Sequence, residues 1–127
     1  MMLVPVYAAI IGLLFIAISL RTIRLRRSKQ IAIGTDNDPE MARGMRAHAN
    51  FAEYVPLALL LLFFAEQSGS GTLTIHILCC ALILGRVLHF LAVSKENEDL
   101  RLRVTGMVLT LGTIISACVR ILSAYLF

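Results

Sequence analysis

Charged residues are scarce in this chain, and their scarcity argues against a soluble fold. Only 16% of the 127 residues are Asp, Glu, Lys or Arg, whereas 58% are hydrophobic and the mean hydropathy is +0.82. Soluble domains carry about 25% charged residues and about 45–50% apolar residues. The composition therefore indicates an integral membrane protein, and the length suits one domain, 1–127.

Cysteine is also rare, and its placement argues against a metal or redox motif. The cysteines show no Cys-x-x-Cys spacing and no nearby cluster of ligands; they are Cys79, Cys80 and Cys118. Because all three lie in apolar segments, we expect buried free thiols and predict no metal site.

Long uncharged runs define four predicted helices. Leu3 to Leu20 contains eighteen residues without a charge, about 27 Å as a helix, which is enough to span a bilayer. Its basic residues follow the run rather than precede it, so we expect a retained helix and not a signal peptide. The predicted fold is all-α, a membrane four-helix up-down bundle. Its helices cover residues 3–20, 39–67, 73–93 and 100–126.

The basic residues indicate how the bundle is oriented. Eleven of the twelve Lys and Arg residues fall on the side where the first and third helices end. Cytoplasmic loops are rich in Lys and Arg, so both termini are expected to be non-cytoplasmic. Only Arg120 lies near the opposite side, where we expect it to snorkel to the interface. Topology thus accounts for most of the +4 net charge, and no nucleic-acid partner is expected.

One face of the second helix combines polar residues with an incomplete apolar span. Arg46, Asn50 and Glu53 are spaced i, i+4 and i+7, which places them on one helical face. The apolar run that follows, Tyr54 to Ala65, has twelve residues, about 18 Å of helix, too short for a bilayer core of roughly 30 Å. If this helix crosses a membrane, the polar face lies inside it or at its edge. Ionisable residues at such a depth mark a candidate functional site.

Other helices are expected to bring polar residues to the same height. Arg86 and His89 share a face of the third helix, Arg24 lies near the end of the first, and Arg103 lies near the start of the fourth. One carboxylate among several guanidinium groups leaves positive charge unpaired, which favours an anionic ligand.

Two readings without a ligand remain open from the residues alone. Glu53 could pair with Arg46 or Arg86 only to hold helices together. Likewise, Arg24 and Arg26 could serve as topology determinants rather than curl under the bundle to contact a ligand.

Taken together, these motifs resemble a known membrane family. Arg46-Ala-His-Ala-Asn50-x-x-Glu53-Tyr-x-Pro56 and Gly85-Arg86-x-x-His89 are similar to the second- and third-helix signatures of the membrane-associated proteins in eicosanoid and glutathione metabolism. Arg24-Leu-Arg26 resembles the end of that family's first helix. The likeness covers essentially the whole chain and is greatest to small bacterial inner-membrane members.

The resemblance implies a homotrimer that binds glutathione between adjacent subunits and acts on a lipophilic small-molecule substrate from the membrane lipids. The implied glutathione-binding residues are Arg24, Arg46, Asn50, Glu53, Arg86 and His89. It implies further that Glu53 takes the γ-glutamyl amine, and that Arg24 and Arg46 take the carboxylates. Arg103, or alternatively Arg101, would be the catalytic residue that lowers the pKa of the thiol.

The sequence departs from the family pattern at three positions. Ala49 stands where some relatives have a further glutathione-binding arginine, and Val93 and Met107 stand where some family enzymes have tyrosines. The leading hypothesis is a glutathione transferase or peroxidase. These departures motivate the alternative, a non-catalytic glutathione- or lipid-binding membrane protein.

A third hypothesis, a small proton-coupled exporter, ranks last. The arginines around Glu53 would keep its carboxylate ionised and repel a cationic substrate. Outside the main constellation, His48 either packs near the interface or contacts ligand, and Glu66 is expected to be a solvated helix end.

Overall fold

The computed structural model describes residues 2–127, which form four α-helices. Helix α1 spans Val4–Lys29, α2 spans Pro39–Gln67, α3 spans Thr72–Val93 and α4 spans Leu100–Leu126. All four are long and apolar enough to cross a membrane. The predicted fold class, an all-α bundle of four membrane helices, is confirmed. Helices α2, α3 and α4 also have the expected bounds to within one residue.

Helix α1 is longer than predicted, because the basic segment after Leu20 continues the helix. Arginine and lysine are good helix formers, and the chain leaves the helical conformation only at Gln30, which adopts a left-handed conformation with φ 56°. Its backbone N–H donates to the carbonyls of Arg26 and Arg27, which satisfies groups left open at a helix end. The basic residues therefore project from an ordered helix.

Helix α2 begins where its sequence predicts. The Asp38 carboxylate accepts a hydrogen bond of 2.7 Å from the backbone N–H of Met41, and Pro39 occupies the first helical position. Both features are favoured at helix starts. Lys29, at the end of α1, lies 2.8 Å from Asp38 and 2.9 Å from Glu40. This ion-pair cluster fastens the end of α1 to the start of α2.

Glu66 corrects one prediction, because it is not a solvated helix end. Its carboxylate accepts hydrogen bonds from the backbone N–H groups of Leu3 and Val4, the latter at 3.0 Å. Leu3 stands at the N-cap of α1 and has no side-chain acceptor to offer. Since α2 runs antiparallel to α1, Glu66 reaches that end and supplies the missing negative charge.

Polar contacts also join α1 to α3, whose starts lie at the same end of the bundle. The Tyr7 hydroxyl lies 2.7 Å from Nδ1 of His76 and 3.5 Å from Sγ of Cys80. The prediction of three buried thiols is wrong in part. Cys79 is buried, but Cys118 is half-buried and Cys80 is exposed.

Helices α3 and α4 pack at backbone distance around two glycines. A Cβ atom on Gly106 would lie 2.7 Å from the carbonyl oxygen of Gly85 and 2.8 Å from the backbone nitrogen of His89. Small residues allow this approach between membrane helices. The contact fixes the height of His89 relative to the first turns of α4.

The outward surface of the bundle is apolar along all four helices. Leu13 is 70% exposed, and similar exposure recurs at Leu57, Leu84 and Val108. Soluble monomers rarely expose continuous apolar surface of this kind. A lipid environment or another protein subunit is therefore needed to cover it.

Candidate functional site

The polar face of α2 divides into an exposed ion pair and a buried amide. Arg46 Nη1 lies 3.5 Å from Glu53 Oε1, with the two side chains 59% and 51% exposed. Asn50 lies between them in sequence and is buried. Glu53 thus pairs within its own helix. The alternative that this ion pair serves to hold two helices together is therefore not supported.

Arg86 is buried in the bundle and has only neutral partners. The residue is 1% exposed, and its Nη1 donates to the Asn50 side-chain oxygen at 2.8 Å. Its Nη2 lies 3.6 Å from the sulfur of Met107, and its guanidinium carbon lies 5.7 Å from the centre of the Tyr54 ring. Within residues 2–127, Nε has no hydrogen-bond partner and no carboxylate pairs with the guanidinium group. A buried arginine without a counterion is costly, and it marks a place that attracts an anion.

Arg103 is paired with Glu98, a residue that the sequence analysis did not identify. Arg103 Nη1 lies 2.9 Å from Glu98 Oε1. The second oxygen of Glu98 lies 4.0 Å from Arg43 Nη1 of α2. The sequence did contain a signal for this pairing. Arg103 follows Glu98 by five residues at the start of α4, and Arg43 lies in the first turns of α2.

The loop that carries Glu98 is held by other arginines as well. Arg43 Nη1 donates to the carbonyl of Lys95 at 3.1 Å, and Arg21 Nη1 donates to the Ser94 hydroxyl at 3.2 Å. Helices α1, α2 and α4 therefore all contact this loop through arginine side chains. Arg101 differs from Arg103 in being exposed, without an ion pair among the described residues.

The two remaining predicted residues, His89 and Arg24, differ in burial. His89 is buried against Gly106, as described above. Arg24 is exposed and forms no hydrogen bond or ion pair with any other residue in the 2–127 range. The structure therefore brings together Asn50 with Arg86 and Arg46 with Glu53, but it does not bring Arg24 into contact with them.

The Arg26 guanidinium group contacts the connection between α1 and α2. Its Nη1 lies 3.2–3.4 Å from three backbone carbonyls of the connection to α2, those of Ile31, Ala32 and Gly34. Its Nη2 lies 3.1 Å from the sulfur of Met45. Arg26 therefore holds the linker, a contact that neither alternative included; its roles as a topology determinant or a ligand contact stay predictions.

His48 lies between α1 and α2, away from the Arg86 cluster. Its Nε2 is 3.0 Å from the Ser19 hydroxyl, and its ring lies 5.0 Å from that of Phe15. His48 and Ser19 border a cavity of about 350 Å³ that also includes Arg26 and Met45. The packing reading of His48 accounts for both of these contacts.

The predicted site arginines, Arg24, Arg46, Arg86 and Arg103, do not line the main cavities among residues 2–127. The most apolar of these cavities is a groove of about 190 Å³ between α1 and α2. That groove includes Ala52 and Pro56, which flank Glu53 along the helix. The exposed candidate residues Arg46 and Glu53 thus lie beside an apolar groove, whereas Asn50, Arg86 and His89 are buried.

The fold and these side chains define a class, an integral membrane four-helix bundle with an arginine-rich cluster at one end. The sequence model of the MAPEG family matches residues 4–123, so the chain belongs to the MAPEG family. The family identification made from the sequence motifs is therefore confirmed.

Two similar relatives are proteins named inner membrane protein YecN, from Escherichia coli K12 and from Escherichia coli O6:H1. Each is 34% identical over 84 residues, a stretch that covers 66% of this chain and 64% of the relative. The matched region thus spans a little under two thirds of each relative, and the name states a location but no activity.

Proposed function

We propose that this protein binds glutathione at the end of the bundle where α1 and α3 finish, and uses its thiol as a nucleophile in a transferase or peroxidase reaction. The observation that carries the proposal is the surplus of guanidinium charge. Among the predicted site residues and the residues paired with Glu98, five arginines stand against two carboxylates, leaving three positive charges in excess; they are Arg24, Arg43, Arg46, Arg86 and Arg103 against Glu53 and Glu98. Glutathione with an ionised thiol carries two carboxylates, one thiolate and one ammonium, a net negative charge that is opposite in sign to this excess.

The donor set suits each charged group of glutathione. Glu53 is the exposed carboxylate that can take an ammonium group, while Arg46 and Arg24 can take carboxylates in bidentate fashion. Asn50 and Arg86 supply amide and guanidinium groups, and His89 lies one turn after Arg86 on the same face. Bound glutathione would supply the sulfur nucleophile.

Arg103 is proposed as the residue that stabilises the thiolate. A thiolate is the reactive form of a thiol, and an adjacent guanidinium favours it over the neutral form. Arg103 is half-buried and paired with Glu98, whereas Arg101 is exposed. Arg103 is therefore preferred for this role.

A second subunit is proposed to complete the site. Arg46 and Glu53 are more than half exposed on a helix that is long and apolar enough to cross a membrane. Exposing an ion pair to lipid is costly, so this face is expected to pack against another copy of the chain. Within the family a homotrimer with glutathione between subunits is the expected assembly, in an inner membrane with both termini non-cytoplasmic.

The second substrate is proposed to be a lipophilic electrophile or hydroperoxide. The groove beside Ala52 and Pro56 is lined almost entirely by apolar side chains. A molecule dissolved in the bilayer can occupy such a groove without losing its contacts with hydrocarbon. Its reactive end would then lie beside the polar face of α2.

Equilibrium binding of glutathione to detergent-purified protein tests the proposal. Wild type should bind, Glu53→Gln should bind at least tenfold more weakly because a charge-assisted hydrogen bond of about 1.5–3 kcal/mol is lost, and Arg103→Ala should bind without forming thiolate absorbance. Arg101→Ala is the matched control and should behave as wild type. Absence of glutathione binding in the wild type would contradict the proposal.

The sequence departures favour a second candidate, a non-catalytic binder of glutathione or lipid. Met107, which replaces a tyrosine of some relatives, contacts Arg86 through its sulfur, and Val93, which replaces another, is buried. Neither side chain carries a hydroxyl that could assist a leaving group. Intact glutathione binding with no turnover of electrophiles or hydroperoxides would favour this candidate.

A further inference from the structure

The Glu98 carboxylate occupies a position where it neutralises two arginines from different helices. One oxygen lies 2.9 Å from Arg103 of α4 and the other lies 4.0 Å from Arg43 of α2. The Glu98 side chain is 21% exposed, less than either arginine. It is therefore the better shielded member of a bridging pair, and it belongs to a loop rather than to a helix.

Other contacts in this loop do not depend on Glu98. Arg21 holds Ser94, and Arg43 holds the carbonyl of Lys95. Asp99, next in sequence, caps α4 by accepting from the backbone N–H of Arg101 at 2.9 Å. The loop and the helix start thus have their own supports, which leaves the charge of Glu98 unexplained by local structure.

We propose that Glu98 is a displaceable internal counterion of Arg103, which holds the arginine in place and must be exchanged for the ligand's thiolate when the site is loaded. This inference rests on the proposed function. A guanidinium paired at 2.9 Å has one of its donor groups and much of its positive potential committed to the carboxylate. A thiolate must therefore compete with the Glu98 carboxylate for Arg103. Because Glu98 belongs to the same chain, its effective concentration at Arg103 is high.

In this exchange, the thiol proton, the thiolate and the Glu98 carboxylate each have a defined destination. The ligand thiol loses its proton to solvent, and its sulfur anion takes the place of the carboxylate beside Arg103. Glu98 keeps its second arginine, Arg43, so its charge is not left unpaired when Arg103 is released. The bridging arrangement therefore makes displacement less costly than it would be for a carboxylate with a single partner.

Replacing the carboxylate with its neutral isostere tests this role. In Glu98→Gln, glutathione should bind about two- to fivefold more tightly than in wild type, the range expected when a partly exposed ion pair of about 0.5–1 kcal/mol no longer competes. Its thiolate absorbance should also appear at lower pH. Glu96→Gln is the matched control, since Glu96 lies in the same loop and is exposed; it should match wild type in both measurements.

A second measurement does not depend on glutathione. Phenylglyoxal reacts with accessible arginines, and the rate of modification at Arg103 can be followed by peptide mass spectrometry. Arg103 should react faster in Glu98→Gln than in wild type or Glu96→Gln. If the wild type binds no glutathione, the proposed function fails. The rate of phenylglyoxal modification still shows whether Glu98 lowers the reactivity of Arg103.

Unchanged Arg103 reactivity, or glutathione binding in Glu98→Gln that is equal to or weaker than in wild type, would overturn the counterion role. Glu98→Asp guards against a folding defect in the first variant. Its shorter carboxylate cannot span both arginines, so it should shift affinity and Arg103 reactivity in the same direction by a smaller amount. A shift in the opposite direction would likewise overturn the role.

Discussion

Arg86 is the residue that most needs an explanation beyond packing. Its guanidinium is held by an amide oxygen, a thioether and an aromatic ring, all neutral. A stabilising role alone would be served as well by an apolar residue of similar size, which avoids the cost of removing a charge from water. The charge of Arg86 therefore supports the proposal that an anion binds beside it.

Asp38 permits a pH test outside the membrane-spanning part of the chain. The hydrogen bond from Lys29, and then that from the Met41 backbone, hold the pKa of Asp38 below its ordinary value of 3.8. Its charge thus stabilises the folded state above pH 3.8, and that contribution is lost as the pH falls through the lowered value. Asp38→Asn, which keeps a helix cap but loses the ion pair, should lower the Tm slightly at pH 7.

The difference in Tm should disappear in acid, where the wild-type carboxylate is also neutral. Thermal unfolding followed by circular dichroism in an acid-stable detergent measures it. Asp36→Asn is the control, because Asp36 is exposed and its left-handed backbone, φ 49°, suits asparagine. An Asp38→Asn deficit that persists unchanged once the pH is well below the lowered pKa of Asp38 would contradict the ion-pair explanation.

At the scale of the helix, the contact between α3 and α4 sets the height of the third-helix motif. In Gly106→Ala the new methyl group would meet the Gly85 carbonyl and the His89 backbone below 3.0 Å, so the helices must separate. Overpacking of this kind costs about 1–3 kcal/mol. We expect a clear fall in Tm in detergent and weaker glutathione binding, because His89 and Arg86 shift together.

Gly112→Ala is the matched control on the same helix. A Cβ atom at Gly112 meets nothing within 4 Å, and alanine favours a helix by about 1 kcal/mol over glycine. This variant should be as stable as wild type or more so. Equal losses in the two variants would show that backbone flexibility, rather than the close approach to α3, explains the effect.

The helices and the polar face were predictable, whereas the partners of several side chains were not. Periodicity and span length identified α2 and its Arg46, Asn50 and Glu53 face, since both are local properties of the sequence. The pairing of Glu98 with Arg43 joins residues far apart in the chain and leaves no periodic signal. Glu66 was misassigned for the same reason, because its partner is the start of another helix.

The whole molecule has a surface that one chain cannot cover. Arg86 is buried, but the ion pair between Arg46 and Glu53 is exposed on α2. A family motif identified which residues to consider, but a single chain contains no information on the neighbour that faces them. The account therefore depends on assembly as much as on side-chain chemistry.

Native mass spectrometry of detergent-solubilised protein with added glutathione tests the central claim most directly. It reports the number of chains and the number of ligands in one spectrum. The account predicts a trimer that retains glutathione in the wild type and loses it in Glu53→Gln. A monomer, or a trimer that never retains glutathione under conditions that preserve the assembly, would contradict it.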